Sequence, residues 1–226
     1  INAMWYHREI EVPKDWEDKR VILHFGGVDY ESEVFINGIS VGTHFGGTIS
    51  FNFDISNHII AGSSYDLVVR VKDHTRDGHQ PRGKQSRNYA SSGCSYTRTT
   101  GIWQTVWLEA MTKVGLKDVH IVPDYDSSSF SFTPRFFELE SGNQFKISVL
   151  NGRELVAEKT VLANNGVPSI VAIPNVESWS PENPFLYDIE FNILNPDGSV
   201  IDSVKSYAGM RKMHIEGNRV FLNNKP

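Results

Sequence analysis

Apolar residues recur at every second position along most of this chain, and that spacing leaves little choice of fold. Val21, Leu23 and Phe25 alternate with other residues, as do Phe51, Phe53 and Ile55, and again Leu67, Val69 and Val71. Successive side chains of an extended strand point to opposite faces, so each run lays one apolar row on a buried sheet face. Helical spacing hardly occurs, and only short turns such as 54–59 could be helical. The turn residues agree. Asn37-Gly38 separates Glu33-Val34-Phe35-Ile36 from Ile39-Ser40-Val41, and both central positions of a type I′ turn need positive φ, which Asn and Gly tolerate best. Asn151-Gly152, Asp197-Gly198 and Gly217-Asn218 repeat the signal downstream. An all-β chain is predicted.

The pattern divides near Met111-Thr112-Lys113. Before that point lie about eight strands' worth of alternation. They are interrupted by one polar stretch, 73–100, longer than connections in compact domains normally run. After it, strands are predicted over 118–122, 129–137, 145–150, 155–162, 169–173, 186–194 and 200–207. About seven short strands in about 100 residues is the spacing of an immunoglobulin-like sandwich. A last hairpin pairs His214-Ile215 with Val220-Phe221-Leu222 around Gly217-Asn218. The expected divisions are therefore 1–111, 112–210 and a hairpin over 211–226.

Composition removes several functions. An apolar fraction of 39% with 22% charged residues is that of a globular chain. No apolar run approaches the roughly 18–20 residues that cross a bilayer, so no membrane partner is expected. A net charge of −5 argues against nucleic acid, whose binding draws on a basic surface. The single Cys94 allows no internal disulfide and, with no His or second Cys near it, reads as an ordinary loop residue. The eight histidines show no HxxxH or Cys/His spacing, so neither metal nor cofactor is expected. The chain opens Ile1-Asn2-Ala3-Met4 rather than on Met. That reads as a processed boundary, so the lack of a leader is silent on location, and periplasm and cytoplasm both fit.

Several separated motifs occur in a telling order. Trp5-Tyr6-His7-Arg8 precedes Val12-Pro13 and Trp16. Leu23-His24-Phe25-Gly26-Gly27-Val28-Asp29-Tyr30 leads to Val34-Phe35-Ile36-Asn37-Gly38, then to Val41-Gly42-Thr43-His44-Phe45-Gly46-Gly47 and Phe51-Asn52-Phe53-Asp54-Ile55. Pro81-Arg82-Gly83-Lys84-Gln85 and Gly101-Ile102-Trp103-Gln104 follow, and later Trp179-Ser180-Pro181-Glu182-Asn183-Pro184-Phe185-Leu186-Tyr187 and Gly209-Met210-Arg211. In this order the motifs resemble glycoside hydrolase family 2, which contains β-galactosidases, β-glucuronidases and β-mannosidases. The resemblance implies a jelly-roll, galactose-binding-like β-sandwich over 1–111, then an immunoglobulin-like β-sandwich over 112–210. The hairpin 211–226 would then lead toward a catalytic TIM barrel.

The same resemblance implies where the chemistry lies. Retaining glycosidases use two carboxyl groups about 5–5.5 Å apart, in this family glutamates at barrel strand ends, where TIM-barrel chemistry sits. The acid/base member follows an asparagine, and the chain contains no Asn-Glu dipeptide and no βα alternation. It is thus expected to stop where the barrel begins, to contain no catalytic residue and to be inactive alone. One residue is expected to reach the sugar subsite: Asp73, at the end of strand 67–71, accepting hydrogen bonds from sugar hydroxyls. His74 beside it is a second candidate. Arg70, Lys72, Arg76, Arg82, Lys84, Arg87 and Arg98 outnumber Asp73 and Asp77 here. They read as a solvated or barrel-docking loop in preference to a rim for a uronate, which Arg would bind bidentately. Trp103 and Trp107 are expected in the sandwich core, and Trp179 as a wedge between domain and linker. The expected partners are a β-galactoside or related carbohydrate, the catalytic barrel of the same polypeptide, and further copies in a homo-oligomer. The competing readings are a free-standing carbohydrate-binding protein and an oligomerisation module.

Overall fold

The alternation becomes strand pairing throughout the computed structural model, which describes residues 3–76 and 78–226. The expectation for the opening residues Ile1 and Asn2 therefore lies outside the described residues, as does that for Asp77. The chain divides into two units, Ile1–Met111 and Thr112–Pro226.

In the first unit β1 (Ala3–Glu11), β2 (Arg20–Phe25), β3 (Val28–Asp29), β4 (Glu31–Ile36), β5 (Ile39–Phe45), β6 (Phe51–Asp54), β7 (Ser64–Lys72), β8 (Gly101–Ile102) and β9 (Val106–Met111) follow in order. They build a four-stranded sheet β1-β7-β4-β5, a three-stranded sheet β6-β2-β9 and a short β3-β8 pair, all antiparallel. Val34, Ile36, Leu67, Val69 and Val71 from the larger sheet meet Val21, Leu23 and Phe25 from the smaller in one core. This is the jelly-roll sandwich. The helical turn expected within 54–59 is a 3-10 turn, Ser56–His58, and a second covers Lys14–Trp16.

The second unit contains β10 (Leu116–Asp124), β11 (Ser129–Phe136), β12 (Gln144–Asn151), β13 (Glu154–Leu162), β14 (Ser169–Ala172), β15 (Tyr187–Leu194), β16 (Val200–Ala208), β17 (Met213–Glu216) and β18 (Arg219–Leu222). Sheets β10-β11-β14 and β13-β12-β15-β16 form the immunoglobulin-like sandwich. Its core is aromatic: Phe132 meets Phe191 edge-on at 5.7 Å and Phe136 meets Phe145 at 5.4 Å, the geometry the ring quadrupole favours. The β17-β18 hairpin is tied to this sandwich. Lys212 Nζ lies 2.6 Å from Asp126, Asn224 donates to the same carboxylate at 3.0 Å, and Asn223 Nδ2 donates to the Trp179 carbonyl at 2.9 Å. Trp179 in turn donates its N–H to Met210 O at 3.0 Å, and the Arg211 guanidinium lies 4.9 Å over its ring.

The turns differ in detail. Asn37 and Gly38 take φ 47° and 79°, the paired positive values of type I′. At 152 and 217 only the glycine is positive, at 59° each, as in a type II′ turn. Asn151 therefore stays in β12.

Candidate functional site

Strand β7 carries the chain from the sandwich into 73–100, and β8 brings it back. Between them two buried carboxylates hold the loop. Asp73, 2% exposed, accepts from Gln80 Nε2 at 2.6 Å on one oxygen and from the Thr100 hydroxyl on the other. The Gln80 carbonyl oxygen accepts from the His74 backbone N–H at 3.0 Å. Both ends of the loop are thus fastened to one side chain.

Asp29, 6% exposed at the end of β3, performs the same task for the middle of the loop. Gln85 Nε2 donates to it at 2.6 Å, while Gln85 Oε1 accepts from the Thr99 N–H at 3.0 Å. Ser86 N–H donates to Tyr96 O and Tyr96 N–H to Lys84 O, each at 2.7 Å. Burial pushes the Asp29 carboxyl above its ordinary value; the Gln85 hydrogen bond opposes this and the nearby Asp73 charge adds to it. Gly47 gives Asp29 its room, since a Cβ there would stand 2.5 Å from Oδ1.

The two sequence candidates are placed differently. Asp73 is buried against its own loop, and His74 is exposed beside it. Asp29, Gln80, Gln85 and Thr100 complete the arrangement. Asp29 stands in a quoted motif, but only the fold reveals that a two-residue strand buries its carboxyl beneath a glutamine 56 positions away. The basic stretch also divides. Arg70 and Lys72 belong to β7 and face Glu33 and Glu31 of β4, at 2.6 and 3.7 Å. Arg76 and Arg98 lie over the Tyr89 ring, at 4.6 and 5.4 Å from its centroid, and Lys84 lies 5.9 Å from that of Tyr96. Tyr89 itself is 82% exposed. Cys94 is free and exposed. Among the described residues no three His, Cys, Asp or Glu side chains gather into a metal-ligand set.

The expectation for the tryptophans fails. Trp103 and Trp107 are 49% and 43% exposed, because the segment is two strands with a bend between them. The N–H groups of Trp103 and Gln104 both turn to Gly27 O, and Trp103 Nε1 donates to Gly47 O at 2.7 Å. In β9, Val106 and Leu108 pair with Phe25 and Leu23 on the core face, which puts Trp107 beside His24 on the outer face. Their rings stack at 4.7 Å, 3° from parallel. The valine and leucine took the core positions. Gly26 and Gly27 are required by this bend: a Cβ would meet Gln104 Cβ at 2.8 Å or Trp103 Nε1 at 2.8 Å.

Two antiparallel sandwiches in series, the first bearing a long loop pinned by buried carboxylates, define a tandem β-sandwich protein. Its family follows from comparison with known proteins. Residues 2–111 match the model of the sugar binding domain of glycosyl hydrolases family 2, and residues 114–211 match the model of glycosyl hydrolases family 2. With two models of one family taking in nearly the whole sequence, the chain belongs to glycoside hydrolase family 2. A β-galactosidase of Thermoanaerobacter pseudethanolicus is 26% identical over 98% of this chain but only 30% of its own length. A putative β-glucuronidase of Formosa agariphila is 29% identical over 99% of this chain and 27% of its own. Among solved structures, a β-glucuronidase from Ruminococcus gnavus in complex with uronic deoxynojirimycin superposes with a TM-score of 0.82. It is 23% identical, and the match covers all of this chain and 39% of that one. The chain thus spans about a third of the length of such relatives.

Proposed function

We propose that this chain is the non-catalytic N-terminal part of a retaining glycosidase that hydrolyses terminal β-glycosidic bonds, with a β-galactoside as substrate. Its two sandwiches brace the catalytic barrel, and the 73–100 loop forms one wall of the sugar subsite. The observation that carries this reading is the use made of the buried carboxylates. Asp29 and Asp73 hold Gln85, Gln80 and Thr100, an arrangement that stiffens a wall. In this reading His74 is the exposed contact and Asp73 acts on the sugar through the residues it holds. The barrel of the same polypeptide is the partner, and homo-oligomers form through these domains.

A second substrate reading is favoured by one feature. Arg76 and Arg98, aligned on Tyr89 and without an ion pair among the described residues, suit the carboxylate of a β-glucuronide. Calorimetry of the 226-residue chain against galactose and glucuronate tests the scaffold role. Affinity weaker than about 1 mM, equivalent to about −4 kcal/mol, is expected. Tighter binding of either sugar would instead indicate a free-standing carbohydrate-binding protein.

A further inference from the structure

Three asparagines stand directly before a glycine: Asn37, Asn151 and Asn165. A following glycine leaves the asparagine side-chain carbon open to its backbone nitrogen, because it carries no Cβ to screen the approach. The fold treats the three pairs differently. Asn165-Gly166 is held at both reacting groups: Asn165 Oδ1 accepts from the Phe136 N–H at 2.7 Å, and the Gly166 N–H donates to Pro134 O at 2.9 Å. Asn37 is held at its side chain, where Oδ1 accepts from the Asp66 N–H at 2.8 Å, and its own N–H donates to Asp66 O at 2.9 Å. The Asp197-Gly198 turn is fastened in the same way, the carboxylate accepting from the Ser199 N–H at 2.9 Å and the Gly198 N–H donating to Asn195 O at 2.9 Å. Asn151 differs from all of these. It is exposed at the end of β12, and among the described residues neither its side chain nor the Gly152 N–H makes a hydrogen bond. A Cβ on Gly152 would meet nothing within 4 Å, so the turn has room to swing.

We propose that Asn151 is a self-modification site, at which the chain deamidates without an enzyme to aspartate and isoaspartate. The Gly152 nitrogen attacks Asn151 Cγ; the N–Cγ bond forms, the Cγ–Nδ2 bond breaks, and the proton of that nitrogen leaves with the ammonia. Water then opens the five-membered succinimide at either of its carbonyls. Ring closure requires Asn151 to turn out of its extended backbone, which releases its pairing with Glu154, the last pair of the β12-β13 ladder. A hairpin end opens at little cost. The product carries one more negative charge, taking the net charge from −5 to −6, and places it opposite Glu154, where like charges repel. Opening at the main-chain carbonyl also lengthens the backbone by one carbon. A bulge between Val149 and Leu150 separates the hairpin tip from Ile147 and Val149 of the core. The modification therefore alters the surface charge of the second unit and leaves its sandwich folded.

The test incubates the 226-residue chain in mildly alkaline buffer, native and in concentrated urea, and follows each asparagine by peptide mass spectrometry. Trypsin releases Asn151 within the peptide 147–153, where it is the sole asparagine, and conversion of amide to acid is read as its mass gain. In the native chain Asn151 is expected to be lost about tenfold faster than Asn37 or Asn165, because hydrogen bonds must first break at those two sites. In urea the three rates converge. Asn151→Gln, whose longer side chain closes its ring far more slowly, removes the early acidic species on ion exchange. Native loss at Asn37 or Asn165 as fast as at Asn151 overturns the proposal, and so does the same ranking retained in urea. An Asn151 still intact in the native chain once the urea-treated sites have reacted, or an acidic species that persists in Asn151→Gln, overturns it equally. None of these outcomes bears on the glycosidase reading, which the sugar and glycoside measurements decide.

Discussion

Gln85 donates to the Asp29 carboxylate at 2.6 Å and, through its own carbonyl, holds the Thr99 N–H at 3.0 Å. One amide thus joins the middle of a long loop to its return and to strand β3. Replacing it by Leu leaves the buried Asp29 carboxylate without this donor, which costs about 1–3 kcal/mol, and releases the exposed Thr99 N–H to water. Gln85→Leu is expected to lower the urea midpoint of the first unit and to speed trypsin cleavage within 73–100. Unchanged cleavage would mean the loop is held by other contacts.

Asp29 makes the first unit pH-sensitive in a defined direction. Burial raises its carboxyl from the ordinary 3.8, partly offset by the Gln85 hydrogen bond, with the Asp73 charge adding to the rise. The folded state therefore binds more protons than the unfolded one above pH 3.8. The stability Asp29 contributes is full below that value and is lost as pH rises through the folded pKa. Asn at this position keeps an oxygen acceptor for Gln85 and does not titrate. Urea midpoints measured against pH should show wild type falling relative to Asp29→Asn as pH rises above 3.8. A flat difference would contradict it.

Gly101 has no space for a side chain. Its φ is 99°, and a Cβ would lie 2.0 Å from Tyr6 Oη and 2.6 Å from Met4 Sδ. Gly101→Ala should cost about 2 kcal/mol or more from strain and overpacking. Part of that should return in the Tyr6→Phe background, where the closest atom is gone, so the pair will be non-additive in a double-mutant cycle.

Core and surface aromatics should separate cleanly. Phe132 is fully buried, and its truncation to Ala should cost the second unit about 3–5 kcal/mol. Trp107→Ala removes an exposed ring stacked on His24 and should cost the first unit only about 1 kcal/mol. Thermal unfolding of each unit measures both.

The strands were legible because burial on one sheet face writes itself into the chain as alternation. Val21, Leu23 and Phe25 declare β2, and the seven predicted strands of the second unit all form within a residue or two of their expected ends. Asn37-Gly38 declared its turn because two consecutive positive φ values admit few other residues. Trp103 and Trp107 were misread because size suggested burial. Their facing was set by register: Val106 and Leu108 sit opposite Phe25 and Leu23, a relationship between distant segments. The loop anchors were hidden for the same reason. Nothing local to Asp29 or Gln85 announces a hydrogen bond between them, because the pairing exists only once β3 and β8 meet.

Hydrolysis of p-nitrophenyl β-galactoside and p-nitrophenyl β-glucuronide tests the central claim most directly, with the 226-residue chain and the longer polypeptide that carries it assayed side by side. The expected result is no p-nitrophenol above the buffer rate from the 226-residue chain and turnover of at least one glycoside by the longer polypeptide. Turnover by the 226-residue chain alone, or none by the longer polypeptide, would contradict it.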